Sequence, residues 1–541
     1  MQAGYKRISI FTLTEIFIIV VLACVPLFVS FPYRVNIFLS WEGAYRMSQG
    51  QIPYKDFGMP LGFMYWVVPA MFFKILGVQM ITLVKAQVFL NIISGLAFRS
   101  ILKNLSVHPG IRLVSVLLYC LSFSFFNFWP WYNHTVIVYE MVGLAFLTKY
   151  IFNNQGKYNW VWLFLSALFI FFSFFTKQDG GGLALILCIA LLIYHAFYEK
   201  KWLPLAGFLG SFVLLALVII FPFTKHNFGY WFNYGQAPHT SRFSAFEIIN
   251  DFFYSSDWIK FYLFIILVLI IARFKTWKEL VADKQWMIFL LLTLGILAEA
   301  AILQVTSYTP PDNNIFFHSF AFAFILSNLV YFLHLDMYKL RPLLVCIAGV
   351  MLWWSGTYWK YIQRVLERAA PATEASNNSG ENIVNRKTYI IDTDTADIPM
   401  TEWIYSDLPS FKKIYMPAPT VRGIERLMNS DLVKSKKDLQ VLNMTELTPL
   451  AAEIPFSLQT GPQYPLWFHL GVGMFNREAK MFETEIANKK YDLVLFEYLP
   501  GLNNFYPFRV RNVLLQHYQK IDSFNAPRRG DTKGMIEVYV R

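Results

Sequence analysis

The chain has 541 residues, 56% of them hydrophobic and 18% aromatic, with only 15% charged. That balance excludes a soluble globular enzyme and a disordered chain, and it points to a polytopic membrane protein. The formal net charge of +12 would suit nucleic acid, but much of the excess sits in short loops between apolar segments, where positive-inside orientation accounts for it, so no nucleic-acid partner is expected.

The N-terminus carries Lys6 and Arg7 before a long apolar run with no small-residue cleavage site, which predicts an uncleaved first span. A membrane span needs about 20 apolar residues. Eleven segments qualify: 8–30, 79–102, 112–129, 134–152, 159–176, 180–198, 202–223, 258–274, 286–306, 314–334 and 342–359. Cys24, Cys120, Cys188 and Cys346 all lie inside such segments and read as small hydrophobes, with neither disulfide nor metal-ligand spacing. The segment 61–76, LGFMYWVVPAMFFKIL, is short and contains Pro69 and Lys74. Loop charges place it. If it does not cross, one side of the membrane collects Lys6, Arg7, Arg99, Lys103, Arg112, Lys149, Lys157, Lys200, Lys201, Arg273, Lys275, Lys278, Lys284, Lys339 and Arg341. The other side then holds only Lys177, Lys225, Arg242 and Lys260 after the second span. The basic side is cytoplasmic. Segment 61–76 is therefore expected to lie along the outer interface. Residues 31–78 and everything after 360 are expected outside.

Three parts follow: a transmembrane domain over 1–360, a polar linker over 361–387 and an extracytoplasmic α/β domain over 388–541. In the last, strand-like runs at 388–392, 439–443, 491–498 and 535–540 alternate with helix-like runs near 400–413, 480–490 and 506–520. The tail shows no nucleotide fingerprint, P-loop, zinc spacing or GxSxG. The membrane half shows no internal repeat.

The first polar stretch after the first span is 40–62, SWEGAYRMSQGQIPYKDFGMPLG. It sets Glu42 and Asp56 among Arg46, Lys55 and a series of Gly, Pro and Tyr. Acids at a low-dielectric boundary have tunable protonation. Four other polar clusters share its face: 129–134 (WPWYNH), 176–180 (TKQDG), 224–257 with His226, Tyr234, His239, Arg242 and Glu247, and 307–314 (SYTPPDNN) with His318 just beyond. Each has an ordinary alternative. Glu42 could pair with Arg46 one helical turn on. Lys177 and Asp179 could form a turn ion pair, Asn133 and His134 could cap a helix, and His318 could be a satisfied interior histidine. The convergence of distant loops on one face favours function.

The opening loop resembles the GT-C superfamily of polytopic glycosyltransferases that use lipid-phosphate sugar donors. It is most similar to the glycosyltransferase-39-like branch, with the protein O-mannosyltransferases and the lipid A aminoarabinose transferase. The resembling residues are Trp41, Glu42 and Gly43, then Gly50, Pro53, Tyr54, Asp56 and Phe57, then Pro60, Leu61 and Gly62. The run FTKQDG at 175–180 resembles a Lys-Gln-Asp/Asn element of the same branch. The chain departs from the pattern in carrying a single acid at Glu42 and a lone Pro60 after Gly58 and Met59.

The resemblance implies an inverting transfer at the outer face of a bacterial inner (plasma) membrane. A polyprenyl-phosphate sugar donates to a hydroxyl on a glycan, lipid or protein acceptor. A carboxylate takes the acceptor proton, and cations or backbone amides hold the departing phosphate. Glu42 is the first candidate base and Asp56 the second, as base or orienter. Lys177 and Arg242 are candidates for the phosphate. With Asp179, His239, Tyr54, Tyr132 and Asn133 they make the expected substrate-binding set. No cofactor or metal is expected. The competing reading is a transporter or lipid-linked sugar flippase, a class that carries charges at mid-depth in interrupted helices, for which Glu299 and Lys85, inside two of the spans, are the candidates. Two others are a ligase-type transferase centred on 224–257 and a receptor module anchored by its spans.

Overall fold

The computed structural model describes residues 9–33, 37–123, 125, 127–152, 158–235, 244–307, 316–359, 362, 398, 402–454, 456–462, 464–468, 472–473, 475–501, 506–528 and 532–541. The chain starts with α1 (Ile10–Phe28), capped by the Ser9 hydroxyl, which accepts the Thr12 amide. After the short strand β1 (Phe31–Pro32) come α2 (Ile37–Ser48), α3 (Met64–Leu76), α4 (Met80–Asn104), α5 (Pro109–Ser122), α6 (Tyr132–Phe152), α7 (Asn159–Phe174), α8 (Gln178–Glu199) and α9 (Leu203–Ile220). α10 (Ala245–Ser255) meets α11 (Asp257–Arg273) at 78°. α12 (Trp277–Ala282), α13 (Lys284–Thr306), α14 (Phe316–Phe332) and α15 (Leu340–Trp353) complete the membrane half.

Every one of the eleven expected segments carries a helix. Among the described residues, six helices are long and apolar enough to cross, or seven if α10 and α11 form one broken span. α5, α7, α14 and α15 have 14, 16, 17 and 14 residues. At 1.5 Å per residue, 14 residues rise about 21 Å, short of a hydrocarbon core of about 30 Å. Local breaks set these lengths. Pro109 opens α5 at a position where its missing N–H costs nothing, and Phe123 leaves the helix with extended backbone. α3, with 13 residues, is also too short to cross. It turns Trp66 and Phe73 inward against α2 and leaves Met71, Lys74 and Ile75 exposed, so the helix is two-faced.

Hydrogen bonds sort the helix ends onto two faces. At one face, the Arg99 and Arg112 guanidiniums each donate to one oxygen of the fully buried Glu15, at 2.6 and 2.8 Å, joining α1, α4 and α5. Lys284 bonds Glu199 at 2.5 Å there, and the Asn104 amide donates to the Ala145 carbonyl. At the opposite face, Ser40 donates to the Pro130 carbonyl, the Gly62 amide to the Thr176 carbonyl, and Lys177 to Ser307. Those links gather α2, the loop before α3, the starts of α6 and α8 and the end of α13.

The C-terminal region is α/β and packs onto that second face. Strands β2 (Trp403–Tyr405) and β3 (Ile414–Pro417) are antiparallel, and β1 of the first loop adds to β3 in parallel, Phe31 opposite Ile414. A second sheet runs β4 (Val441–Met444), β5 (Leu493–Tyr498), β7 (Met535–Val540), β6 (Gln519–Asn525), with β4 and β5 parallel and the rest antiparallel. Strands at 439–443, 491–498 and 535–540 were expected, and β4, β5 and β7 occupy them. The helix expected near 400–413 is instead β2 and a single 3-10 turn, Pro409–Phe411, because pairing with β3 outweighs its local pattern. The expected strand 388–392 and the linker 361–387, apart from residue 362, lie outside the described residues. Tyr33 joins the two halves by donating its hydroxyl to the Glu446 carbonyl. Beneath it Arg528 bridges Glu497 and Glu446, at 2.5 and 2.6 Å, in full burial.

Candidate functional site

Glu42 and Arg46 stand one turn apart on α2, and the Arg46 Nε donates to Glu42 Oε1 at 2.9 Å. The pairing weighed as the ordinary alternative is therefore present, but its setting is not that of a surface pair. Arg46 is 1% exposed. Its Nη1 donates to Gln51 Oε1 at 2.9 Å and to the Gln459 carbonyl at 2.6 Å. Its guanidinium lies over Tyr464, 4.6 Å from the ring centre, and near Phe57 at 5.7 Å. Burial raises the Glu42 carboxyl above the usual range, and the charge and hydrogen bond of Arg46 pull it the other way. The α2 backbone comes close to α3 because Gly43 has no side chain: a Cβ there would lie 2.0 Å from the Trp66 ring.

Asp56 sits on the turn that follows. Its Oδ2 accepts the Ile52 amide at 2.7 Å and its carbonyl accepts the Gly461 amide at 2.8 Å. The carboxylate thus holds the loop's shape. Tyr54 adopts positive φ of 64°, is 1% exposed, and donates its hydroxyl to the Leu61 carbonyl at 2.7 Å. It packs edge-on to Phe223 and Phe228. Trp41 is likewise buried, against Tyr45 and Phe73. Both rings are buried in packing. The loop meets the next cluster at Gly62, where a Cβ would fall 1.6 Å from the Phe175 carbonyl oxygen.

Lys177 stands immediately before the start of α8, with extended backbone. Its Nζ donates to Asp179 Oδ2 at 2.7 Å and to the Ser307 hydroxyl, and lies 6.0 Å from the centre of the Tyr132 ring. Asp179 Oδ1 accepts the Gly180 amide at 2.8 Å. Asn133, in the first turn of α6, holds a buried Oδ1 with no hydrogen-bond partner among the described residues. Trp129 Nε1 and Gln459 Nε2 are unmatched in the same way. His134 pairs with Asn127 at 2.8 Å, and His318 with the Tyr262 hydroxyl at 2.8 Å, as a satisfied interior histidine. Arg242 and His239 lie outside the described residues.

Sequence reasoning did not include the strap that the C-terminal domain lays across this face. Gln459, Gly461, Tyr464 and Leu466 bond Arg46, Asp56 and Gly58, and the Asn227 amide donates to the Pro462 carbonyl at 2.5 Å. Tyr230 donates its hydroxyl to Glu478, which is 3% exposed. Burial pushes the Glu478 carboxyl up to about 8, against the lowering effect of the Tyr230 hydrogen bond. Nothing local in the sequence marks these residues, since each acts on a partner hundreds of positions away.

No family model and no curated protein matches the chain. Among solved structures it is similar to ArnT from Cupriavidus metallidurans bound to undecaprenyl phosphate, at 11% identity and a TM-score of 0.46, covering 97% of this chain and 98% of that one. It is similar to the apo state of the same protein at 10% identity and a TM-score of 0.47, covering 97% of each chain.

On one face, then, stand a shielded carboxylate, two short-range ion pairs and unmatched polar atoms on Asn133, Trp129 and Gln459. Buried groups of that kind are uncommon without a ligand or water. The set offers proton acceptance at Glu42, a cation at Lys177, and both a hydrogen-bond acceptor and donors for hydroxyl groups.

Proposed function

We propose that this integral membrane protein is an inverting glycosyltransferase that moves a sugar from a polyprenyl-phosphate donor to an acceptor hydroxyl. The reaction takes place at the face carrying the first loop and the C-terminal domain, the outer face of a bacterial plasma membrane. The observation that carries the proposal is Glu42: a carboxylate raised by burial, on a juxtamembrane helix, steered by one arginine that a second domain holds in place. Such a group can accept the hydroxyl proton as the bond to the anomeric carbon forms and the lipid phosphate leaves. Lys177 supplies charge to that phosphate by exchanging part of its contact with Asp179 or Ser307. Asn133 offers its acceptor to a sugar hydroxyl. Asp56 keeps the loop in register, and Arg242 and His239 complete the substrate set from the stretch that follows Tyr234.

The transporter reading finds less support. Lys85 is exposed on the outer side of α4, and Glu299 faces Glu140 across the bundle interior. One is exposed and the other buried, so the two do not face a common interior site.

The test is mass spectrometry of lipid-linked sugars and surface glycans in cells with the wild-type gene, without it, and with Glu42→Gln. A glycan lost with the gene and not restored by the Gln allele is expected. Restoration by that allele would overturn the assignment of Glu42, and unchanged glycans and lipid-linked sugars in all three would overturn the function.

A further inference from the structure

A cavity of about 410 Å³ opens on the face opposite the candidate site, where α11 and α14 end and α13 begins. Its charged groups are Arg273 and Asp283. They lie 3.7 Å apart, longer than a close charge-assisted hydrogen bond, with side chains 26% and 37% exposed. Each is fixed from behind. Arg273 Nη1 donates to Asn328 Oδ1 at 3.2 Å, and the same oxygen accepts the Trp286 indole N–H at 2.9 Å. Asp283 Oδ1 accepts the Trp286 amide at 3.0 Å as the cap of α13, which leaves Oδ2 towards Arg273. The guanidinium lies 4.7 Å from the centre of the Tyr331 ring and 5.9 Å from that of Trp286.

A lone anion here meets Asp283, and a lone cation meets Arg273. A ligand bearing both charges satisfies both. The carboxylate needs an N–H donor, which a primary ammonium has and a quaternary one lacks. The position, at the ends of membrane helices among Trp and Tyr, is that of lipid headgroups. We propose that this cavity binds the headgroup of a zwitterionic aminophospholipid, its phosphate on Arg273 and its primary ammonium on Asp283. The site is separate from the transfer site and does not depend on the proposed reaction.

Native mass spectrometry of the full-length protein in detergent, titrated with phosphatidylethanolamine, phosphatidylcholine, phosphatidylglycerol and soluble phosphoethanolamine, tests this. Wild type is expected to retain one phosphatidylethanolamine about tenfold more tightly than the other two lipids, the discrimination of one charge-assisted hydrogen bond. Asp283→Asn keeps the helix cap and so the fold, and it should erase that preference while lipid is still held. Arg273→Gln should weaken all lipids about tenfold, with Arg273→Lys between. Equal retention of all headgroups by wild type, or an unchanged preference in Asp283→Asn, would overturn the proposal. Displacement of the lipid by an equal concentration of soluble phosphoethanolamine would overturn the lipid as ligand.

Discussion

Glu15 and Glu42 are both carboxylates bonded to arginine, one near each face of the bundle; the first is fully buried, the second half-buried, and they are held differently. Glu15 meets two guanidiniums, one on each oxygen, from two neighbouring helices. Glu42 meets one, on one oxygen, and that arginine is shared with Gln51 and with a carbonyl of the C-terminal domain. The first arrangement saturates the acid and staples three helices. The second leaves the acid partly answered and makes its surroundings depend on a separate domain. An enzyme needs the second kind where protons move and the first kind where they must not.

The comparison can be broken most directly at Glu15. Glu15→Ala strands two arginines in the bundle, and loss of one side of a buried ion network costs about 3–5 kcal/mol. Unfolding in detergent should show it as a large drop in the transition temperature. Glu42→Gln should do the reverse: transfer falls by roughly 10²-fold or more while the unfolding transition stays near wild type. If the Gln variant instead unfolds as the Glu15 variant does, Glu42 is a second staple. Lys177→Ala should weaken donor binding about ten- to a hundredfold, the value of one charge-assisted hydrogen bond. Unchanged donor affinity, measured by titration with a polyprenyl phosphate, would move the phosphate site elsewhere.

Glu478 sharpens the contrast through pH. Its carboxyl is pushed up to about 8 in the folded protein, while an unfolded glutamic acid titrates near 4.3. Between those values the folded state binds more protons than the unfolded one, so stability falls as pH rises through that window. Glu478→Gln should flatten this part of the profile, read as hydrogen exchange of the strap at 456–468 from pH 5 to 8. A profile unaltered by the substitution would assign the dependence to another group. The smallest effect is expected at Asp56. Asparagine keeps an acceptor for the Ile52 amide, so Asp56→Asn should change stability by no more than about 0.5 kcal/mol and leave turnover near wild type. A large loss of turnover would bring Asp56 into the chemistry.

Much of the architecture was legible because its signals are local. Apolar runs marked where membrane helices form, and the apolar runs of β5 and β7 marked the sheet's interior. β6 was not legible: as an edge strand with the sequence QKIDSFN it alternates weakly and faces water. The helices' true lengths were hidden in single punctuating residues such as Pro109. At the site, Glu42 with Arg46 and Lys177 with Asp179 could be read from spacing alone, as helix-turn and turn neighbours. What makes the first of these more than a surface pair is Gln459 and Tyr464, and no spacing rule connects them to α2. The Glu15 staple was equally hidden, since its three members stand on three helices. Tyr54 was expected to meet the substrate because a sequence motif reports the ring and not which way it turns.

The bonds from Tyr33 to the Glu446 carbonyl and from Arg46 to the Gln459 carbonyl each span 413 residues of chain. Translation at about 5–20 residues per second sets roughly 20–80 s between the synthesis of the two ends. During that interval α2 has left the ribosome without the partner that fixes its arginine. The site is therefore assembled last in time although its acid is made first. A nascent or truncated chain can hold its helices in the bilayer and still lack the contacts that order Arg46 beside Glu42, which form only once the C-terminal region has docked.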